Sequence, residues 1–512
     1  MKLEMFFEKF DQFADAPDAV AKMRELVLHL AFSGKLLPTA EPWPLKPLKS
    51  LATKIGSGAT PAGGRESYFT EGIPLIRSMN VHFAGFEPKG LVFLSDEQAK
   101  QLANVTVQPG DVLLNITGAS IGRVTTAPSE MAGARVNQHV AIIRPIKELD
   151  AQFLAKFLAS PAIQRMIDDI QVGATREALT KGMIERFEIP LPPLAEQKRI
   201  VAKVDELMAL CDRLEAQQKE RETRHAALAR ASLARFADAP TPANLPFLFH
   251  PSYAIPPADL RKSILTLAVQ GKLVPQDPID EPAEECLSRL GLKSTVVPPD
   301  GDDFENDSLP PAWAQVRFED VALVAGGVTL GRKLGDRKTV TMPYLRVANV
   351  KRGEIDLSVI KEVSIGEDEI ERYALRENDL LMTEGGDWDK VGRAAIWRAE
   401  IPVCLHQNHV FRARMRSAEL APFWFERYFN SPVGRGYFES ASKQTTNLAS
   451  INMRQVRSCP IPLPPLAEQR RIVAKVEQLM VLVVALEAQL AASRTTAANL
   501  LSALVAELTA QG

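Results

Sequence analysis

The chain carries one segment twice. Ile189–Gln217 and Ile461–Gln489 are identical at 22 of 29 positions, at an offset of 272 residues. Each copy opens with IPLPPLAEQ, and no proline or glycine interrupts the first copy from Leu194 to Ala239. This offset is far longer than the about 20–50 residues of a solenoid repeat. The sequence therefore predicts two domain-sized halves, each ending in a Pro-rich turn followed by a long helix.

Both long helices carry an apolar stripe with alternating spacings of four and three residues. This rhythm is typical of a coiled-coil seam, although an amphipathic helix on an ordinary core can also show it. Two matched copies favour packing of the helices against each other. The residues expected to pair are Ile200, Val204, Leu207, Leu214, Ile472, Val476, Leu479, Val483 and Leu486.

A second repeat has a different offset. Met23–Pro38 and Leu260–Pro275 share eight of 16 positions at an offset of 237 residues. The region from about Leu194 to Pro275 therefore matches the C-terminal helix followed by the N-terminal segment. This order predicts a pseudo-twofold, circularly permuted repeat. Chain ends that meet in space produce such a pattern, and the ends of domains often do lie close together.

The segments between the helical parts are rich in short β-type runs, and they share landmarks. Gly110-Asp111 parallels Asn378-Asp379, Gly122-Arg123 parallels Gly392-Arg393, and the tetrapeptides 137–140 and 407–410 both contain His-Val. Most other positions differ. We expect two domains of one fold with different surfaces.

Composition excludes several classes of protein. The net charge is −2, so no global basic field indicates a nucleic-acid partner. The four cysteines are isolated, which fits a reducing, cytoplasmic compartment. Charges run through the N-terminus, which argues against a signal peptide. The longest apolar run is far shorter than the roughly 20 residues of a membrane span.

No motif for catalysis or a cofactor is found. The Pro-Pro pairs do not form the N-P-P-[YF] clamp of an amino-methyltransferase. Gly326–Lys333 has the glycine spacing of a phosphate loop, but Arg332 stands where lysine is required. His406 and His409 are three residues apart, yet the first half has no counterpart of His406. We therefore expect no catalytic residue, no bound cofactor and no metal.

The whole chain resembles the specificity (S) subunit of Type I restriction–modification systems. IPLPPLAEQ with its long helix occurs twice, KIGSGATP and GIPLIRSMNV are present, and SGKLLP and QGKLVP belong to the same pattern. The resemblance implies an α+β fold with two mixed α/β-rich target recognition domains, separated by two long helices in an antiparallel coiled coil. Each domain would read half of a bipartite, asymmetric site in double-stranded DNA.

The resemblance also implies partners. Two modification (methyltransferase) subunits would use S-adenosylmethionine, restriction subunits would act with ATP and Mg, and this subunit would be non-catalytic. The expected boundaries are 1–40 for an N-terminal helical segment completing the distal conserved region, 41–192 for target recognition domain 1, 193–275 for the central conserved region with its long helix, 276–310 for an acidic Pro-rich linker, 311–464 for target recognition domain 2, and 465–512 for the C-terminal conserved long helix.

The candidate DNA-reading residues combine suitable chemistry with positions in predicted loops or turns. Arg and Lys suit guanine, Asn and Gln suit adenine, and Lys, Arg and Thr also contact phosphates. Residues shared by both halves fit a framework role as well as they fit DNA contact. The candidates are Arg77, Asn80, Thr117, Arg123, Asn137, Gln138, Thr175, Arg176, Arg332, Lys333, Arg346, Asn349, Arg393, Gln407, Asn408, Lys443, Thr445 and Asn447.

Two alternatives stay open at this point. The chain could be an oligomerisation scaffold that does not read DNA. It could also be a methyltransferase or nuclease with an unrecognised active site. Sequence preference of the assembled complex, or activity of the chain alone with S-adenosylmethionine, distinguishes these alternatives from a DNA reader.

Overall fold

A computed structural model describes residues 10–14, 16–38, 41–60, 68–171, 178–250, 252–293, 309–386, 390–445 and 448–510. The chain divides into two compact units. Unit 1 comprises Met1–Arg221 and Ala492–Gly512, and unit 2 comprises Glu222–Ala491. Both units mix helices with short β-sheets, as the sequence predicted.

The helices are α1 (Phe10–Phe13), α2 (Ala19–Phe32), α3 (Leu48–Leu51), α4 (Asp96–Gln101), α5 (Ala151–Leu158), α6 (Pro161–Gln171), α7 (Lys181–Glu185), α8 (Leu194–Asp238), α9 (Leu245–Leu248), α10 (Pro257–Val269), α11 (Ala283–Arg289), α12 (Phe318–Val321), α13 (Ile370–Tyr373), α14 (Pro422–Asn430), α15 (Pro432–Ala441), α16 (Met453–Arg457) and α17 (Leu466–Ala510). The strands of unit 1 are β1 (Leu45–Pro47), β2 (Ala52–Ser57), β3 (Ile73–Ile76), β4 (Val81–His82), β5 (Gly85–Phe86), β6 (Val92–Leu94), β7 (Val112–Asn115), β8 (Val124–Thr126), β9 (Arg135–Val136), β10 (Val140–Pro145) and β11 (Glu188–Pro190). Those of unit 2 are β12 (Ala314–Arg317), β13 (Ala322–Ala325), β14 (Thr339–Leu345), β15 (Lys361–Gly366), β16 (Leu380–Thr383), β17 (Gly385–Gly386), β18 (Ala394–Ile396), β19 (Leu405–His406), β20 (Val410–Met415), β21 (Lys443–Thr445), β22 (Leu448–Ser450) and β23 (Pro460–Leu463).

One sheet topology occurs in both units. Unit 1 has a four-stranded antiparallel sheet in the order β2-β10-β7-β8, and unit 2 repeats it as β13-β20-β16-β18. Each unit also has a three-stranded sheet, β6-β3-β9 in unit 1 and β15-β14-β19 in unit 2. Its middle strand makes one antiparallel and one parallel pairing. Two short antiparallel pairs, β1-β11 and β12-β23, complete the correspondence.

The four-stranded sheet buries both faces, and alternate residues divide between two cores. In unit 1, Leu114 packs with the helices, whereas Leu113 on the other face packs against the three-stranded sheet. In unit 2, Leu380 and Leu381 divide in the same way. This follows from the two-residue period of a strand. Buried faces on both sides explain the nearly continuous apolar runs of β7 and β16.

Each unit pairs a short helix with the first part of a long helix. In unit 1, Arg24 on α2 donates to Asp212 at 2.7 Å and to Glu215 at 2.6 Å on α8. In unit 2, Arg261 on α10 donates to Glu487 on α17 at 2.6 Å. Arg24 and Arg261 are the matched arginines of the shorter repeat, so both sequence repeats meet at one recurring ion pair.

The last part of each long helix belongs to the unit in which the helix does not begin. Leu501 near the end of α17 is buried in unit 1 together with α2, and the Lys35 ammonium donates to the Thr509 carbonyl at 2.6 Å. Phe236 near the end of α8 is buried in the core of unit 2. The end of α8, with which unit 2 begins along the chain, thus corresponds to the end of α17, with which unit 1 ends. The observed element order is that of a circular permutation.

The two apolar stripes lie in different cores. Ile200, Val204 and Leu207 are buried in unit 1, whereas Ile472, Val476, Leu479 and Val483 are buried in unit 2. Leu214 and Leu486 are partly buried at the ends of the stripes. This differs from our expectation that the stripes pack against each other. The reason is that the stripe at the start of each helix shares a core with the end of the other helix. Leu501 of α17 is buried with the stripe of α8, and Phe236 of α8 is buried with the stripe of α17.

Part of the expected acidic linker is folded. Residues 283–289 form α11, and Ala283 and Leu287 are buried in the core of unit 2. Residues 294–308 lie outside the described part of the chain. Across the described residues, no helix combines the length and apolar character needed to cross a bilayer.

Candidate nucleic-acid interface

Topology brings the candidate loops of each unit to one end of its four-stranded sheet. In unit 1, β2 and β7 end where β10 and β8 begin, because neighbouring strands are antiparallel. The loops at this end are therefore 58–60, 116–123 and 137–139. The parallel pair β3-β9 adds residues 77–80. We call this end of each unit its loop end; among the described residues, the loop end of unit 2 comprises 326–333, 346–350, 384–386, 390–392 and 407–409.

A glycine at the same place in each unit permits close backbone approach at the loop end. A Cβ added to Gly58 would overlap the Val136 carbonyl oxygen, and one added to Gly327 would overlap the His406 carbonyl oxygen. The Val328 amide donates to that His406 carbonyl at 2.7 Å. The GSGATP and AGGV stretches thus include a glycine that the packing of the loop requires.

A chain of polar side chains crosses the loop end of unit 1. Thr60 donates to the Gln138 carbonyl oxygen, and the Gln138 amide lies 3.3 Å from Nε2 of His139. Nδ1 of His139 contacts the Thr117 hydroxyl. Beside this chain, Arg123 lies 3.4 Å from Nδ1 of His82. These linked side chains offer both donors and acceptors, which suits reading of base edges.

Unit 2 has a different chemistry at equivalent positions. Nδ1 of His409, the counterpart of His139, contacts the Glu384 carboxylate. The side chains of Gln407 and Asn408 are partly exposed, and Lys333 is exposed. A carboxylate accepts from cytosine, whereas the Thr117, His139 and Gln138 side chains of unit 1 include donors as well as acceptors. The two loop ends therefore differ where their frameworks agree.

Several candidates serve the framework instead. Asn80 and Asn349 are buried; each accepts from the backbone amide of Arg77 or Arg346, at 3.0 and 2.9 Å, and donates to two carbonyls. Their polar atoms thus form hydrogen bonds inside the protein, so Asn80 and Asn349 are framework residues and not DNA-reading residues. Asn137 is also withdrawn, because it is 5% exposed and accepts from the His139 amide at 3.0 Å.

Three of the candidate arginines form hydrogen bonds within the protein. Arg77 and Arg346 donate to the carbonyls of Gly90 and Val359. Arg332 makes two hydrogen bonds to Glu369, at 2.9 and 3.0 Å, and these raise the pKa of Arg332 and lower that of Glu369. This paired geometry explains why the phosphate-loop-like stretch has arginine there.

The remaining candidates are Thr117, Arg123 and Gln138 in unit 1, and Lys333, Arg393, Gln407 and Asn408 in unit 2. Lys443 and Thr445 lie in β21, whose side chains are outside the description, and Thr175, Arg176 and Asn447 are outside the described residues. Sequence reasoning missed His82 and Glu384. Glu384 directly follows a buried strand, which was the available signal.

The two histidines of the 406/409 pair lie in different environments. His406 is fully buried, and its Nδ1 lies 2.7 Å from the Val410 carbonyl oxygen, whereas His409 is 54% exposed. Among the described residues, no group of three or more His, Cys, Asp or Glu side chains is placed to hold a metal. Burial lowers the pKa of His406 to about 4.

Acid is expected to destabilise unit 2 through His406. The unfolded chain binds a proton near the ordinary pKa of about 6.5, while the folded chain resists it until about pH 4. Stability is therefore present above pH 6.5 and falls as pH drops through this window, by roughly 3 kcal/mol in total. Hydrogen exchange of β20 from pH 7 to 4 measures it. His406→Val, which places there the residue found in unit 1, should flatten this dependence; an equally steep loss in the variant would contradict the assignment.

Comparisons with known proteins agree with this architecture. The family model described as "Type I restriction modification DNA specificity domain" matches residues 40–222 and 310–493. The chain belongs to this family. The Type I restriction enzyme EcoKI specificity subunit of Escherichia coli K12 is 25% identical over 94% of this chain and 91% of its own length. The EcoEI specificity subunit of Escherichia coli is 27% identical over 72% of this chain and 66% of its own length.

A solved structure is also similar. The HsdS subunit from Thermoanaerobacter tengcongensis has 18% identity and a TM-score of 0.46, over 92% of this chain and 98% of that chain. The two matched family segments each comprise one sheet region and the first part of the following long helix. The chain is thus a specificity subunit, a non-catalytic member of its system, and it carries the family domain twice.

Proposed function

We propose that this specificity subunit reads a bipartite, asymmetric site in double-stranded DNA through its two loop ends. One observation carries the proposal: the equivalent histidines of the two units have different polar partners, with Thr117 and Gln138 beside His139 and Glu384 beside His409. Framework residues such as Asn80 and Asn349 recur, so the two units hold different polar side chains on a shared framework. A plain scaffold has no need of two diverged surfaces.

We further propose that α8 and α17 pack as an antiparallel coiled coil that fixes the gap between half-sites. Support comes from each unit separately. In unit 1 the start of α8 shares a core with the end of α17, and in unit 2 the start of α17 shares a core with the end of α8. Each helix has 45 residues, or about 67 Å at 1.5 Å per residue.

Partners supply the chemistry in this proposal. Two modification subunits would bring S-adenosylmethionine, and restriction subunits would bring ATP and Mg. The domain boundaries at residues 41–192 and 311–464 then delimit the two target recognition domains. A cytoplasmic location is in keeping with four cysteines that are all buried and unpaired with one another.

Gel-shift titration with and without modification subunits tests the function. The assembled complex should prefer one bipartite sequence, and the isolated chain should bind more weakly because its net charge of −2 neutralises few phosphates. No sequence preference in the complex would favour the scaffold. Methyl transfer by the chain alone would favour the enzyme.

Two matched variants refine this test. Gln138→Ala should relax preference at one position of one half-site, by about 1–3 kcal/mol of discrimination, because a base contact carries sequence information. Asn408→Ala should do the same in the other half-site only. Thr53→Ala, on the exposed part of β2 away from the loop end, is the control. If either variant lost affinity equally for every DNA sequence, the replaced side chain would contact phosphate and not a base.

A further inference from the structure

Unit 1 has an open cleft beside the Pro192-Pro193 turn. Its volume is about 590 Å³, and Trp43, Glu148 and Glu196 are among the residues that line it. Nε1 of Trp43 and Oε1 of Glu196 are buried, and neither has a hydrogen-bond partner among the described residues. A buried polar atom without a partner costs about 1–3 kcal/mol. The cleft thus holds a donor and an acceptor that no described residue of this chain satisfies.

The same place in unit 2 is filled by the chain itself. Trp313 and Glu468, the counterparts of Trp43 and Glu196, are hydrogen-bonded, with Nε1 donating to Oε2 at 2.9 Å. The Gln276 side-chain amide donates to the other oxygen of Glu468 at 2.7 Å. Both carboxylate oxygens are therefore satisfied. The occupant is the chain segment that begins at Gln276.

Two ion pairs hold that segment on unit 2. Asp280 accepts from Arg471 at 3.2 and 2.6 Å. Arg289 donates to Glu419 at 3.1 Å through each of two nitrogens. Between these pairs, α11 buries Ala283 and Leu287 in the core. Segment 276–289 thus presents an amide, an acid four residues later and a base nine residues after that.

Unit 1 has matching positions, and no segment of its described residues covers them. Arg199 corresponds to Arg471, and Glu148 precedes Leu149 as Glu419 precedes Leu420. Both side chains are exposed, and among the described residues neither makes an ion pair. Pro38 is five residues before Trp43, whereas the equivalent Pro275 is 38 residues before Trp313. The shorter connection lacks the residues that would fill the cleft.

We propose that the cleft of unit 1 binds a segment of a separate polypeptide with the pattern of residues 276–289. Its amide would reach Glu196, its carboxylate would pair with Arg199, and its basic group would pair with Glu148. A polypeptide is favoured because the occupant in unit 2 is one, and because the exposed charges are complementary to this pattern at matching places. The inference deepens the proposed function, on which it rests only for the view that the occupant is a partner subunit.

Peptide binding to the full chain tests the proposal. The probe is a fluorescein-labelled peptide of residues 276–289 that carries Cys286→Ser. We expect saturable anisotropy with a Kd of about 10–100 µM. Arg199→Glu should weaken binding at least tenfold. A peptide with Asp280→Lys should recover it on that variant, which a folding defect would not allow.

Lys198→Glu is the matched control, because Lys198 is the exposed neighbour of Arg199 on α8, and its counterpart Arg470 forms none of the described contacts with segment 276–289. It should leave the Kd within twofold. Absence of saturation at about 1 mM peptide, or equal weakening by Lys198→Glu, would overturn the proposal. If the chain self-associates and Arg199→Glu abolishes that association, the occupant is a second copy of this chain. That result would overturn the proposal of a partner subunit. DNA preference of the assembled complex is measured separately, so failure of peptide binding leaves the DNA-reading function standing.

Discussion

Replacing Asp379 with alanine is expected to destabilise unit 2 by about 3 kcal/mol. Asp379 is 1% exposed and accepts two hydrogen bonds from Arg414, both at 2.7 Å, and one from the Arg376 amide at 2.7 Å. Removal of the carboxylate leaves a guanidinium whose side chain is only 26% exposed. An unpaired, largely buried charge is costly, so the loss exceeds the value of any one hydrogen bond.

The same arrangement in unit 1 provides an internal replicate. Asp111 is buried and accepts from Arg144 at 2.7 and 2.8 Å and from the Gln108 amide at 2.8 Å. Asp111→Ala should therefore destabilise unit 1 by a similar amount and leave unit 2 unchanged. Hydrogen exchange of β7 and β16 reports the two units separately, because each strand lies in the core of its own unit.

An exposed ion pair is the control for both variants. Asp205 pairs with Lys156, but its side chain is 58% exposed. Asp205→Ala should cost less than about 1 kcal/mol, since surface pairs contribute little. Replacing both members of the buried pair, with Asp379→Ala and Arg414→Met, should recover part of the loss. A cost for Asp379→Ala no larger than that for Asp205→Ala would show that the buried pair is not a framework element.

Sequence pattern predicted the fold where local rules decide it. The lack of proline and glycine predicts an uninterrupted helix from Leu194 to Ala239, and α8 runs from Leu194 to Asp238. The shared Asp111 and Asp379 landmarks predict a common framework, and the buried pairs with Arg144 and Arg414 give its physical reason. Both features can be predicted from a single sequence, because they follow from the positions of proline and glycine and from repeated residues.

Burial was the part that sequence could not supply. Asn80 and Asn349 have the chemistry of adenine readers, yet each turns inward to hold a turn. Their depth depends on the parallel pairing of β3 with β9 and of β14 with β19, which joins residues about 60 positions apart. In the same way, α11 lies in a stretch whose composition indicated a solvated linker, because only three of its residues face the core.

Insertion of one heptad into both long helices should lengthen the preferred gap between half-sites by about three base pairs. Seven residues add about 10.5 Å to a helix, and each base pair of DNA occupies about 3.4 Å. The insertion points are after Leu214 in α8 and after Leu486 in α17, which are equivalent positions of the long repeat. The half-site sequences should not change, because the loop ends are untouched. Methylation mapping with the modification partner measures both quantities.

The site of insertion keeps each core intact. Between Leu214 and the next buried residue, Ala229, the side chains of α8 are mostly exposed, and α17 is similarly exposed from Glu487 to Thr496. A heptad turns the downstream helix by only about 20° from its former phase. Five residues would turn it by about 140° at 3.6 residues per turn, so that insertion should abolish recognition instead of shifting it. A gap that stays constant after the heptad insertion would mean that these helices do not set the distance between the two readers.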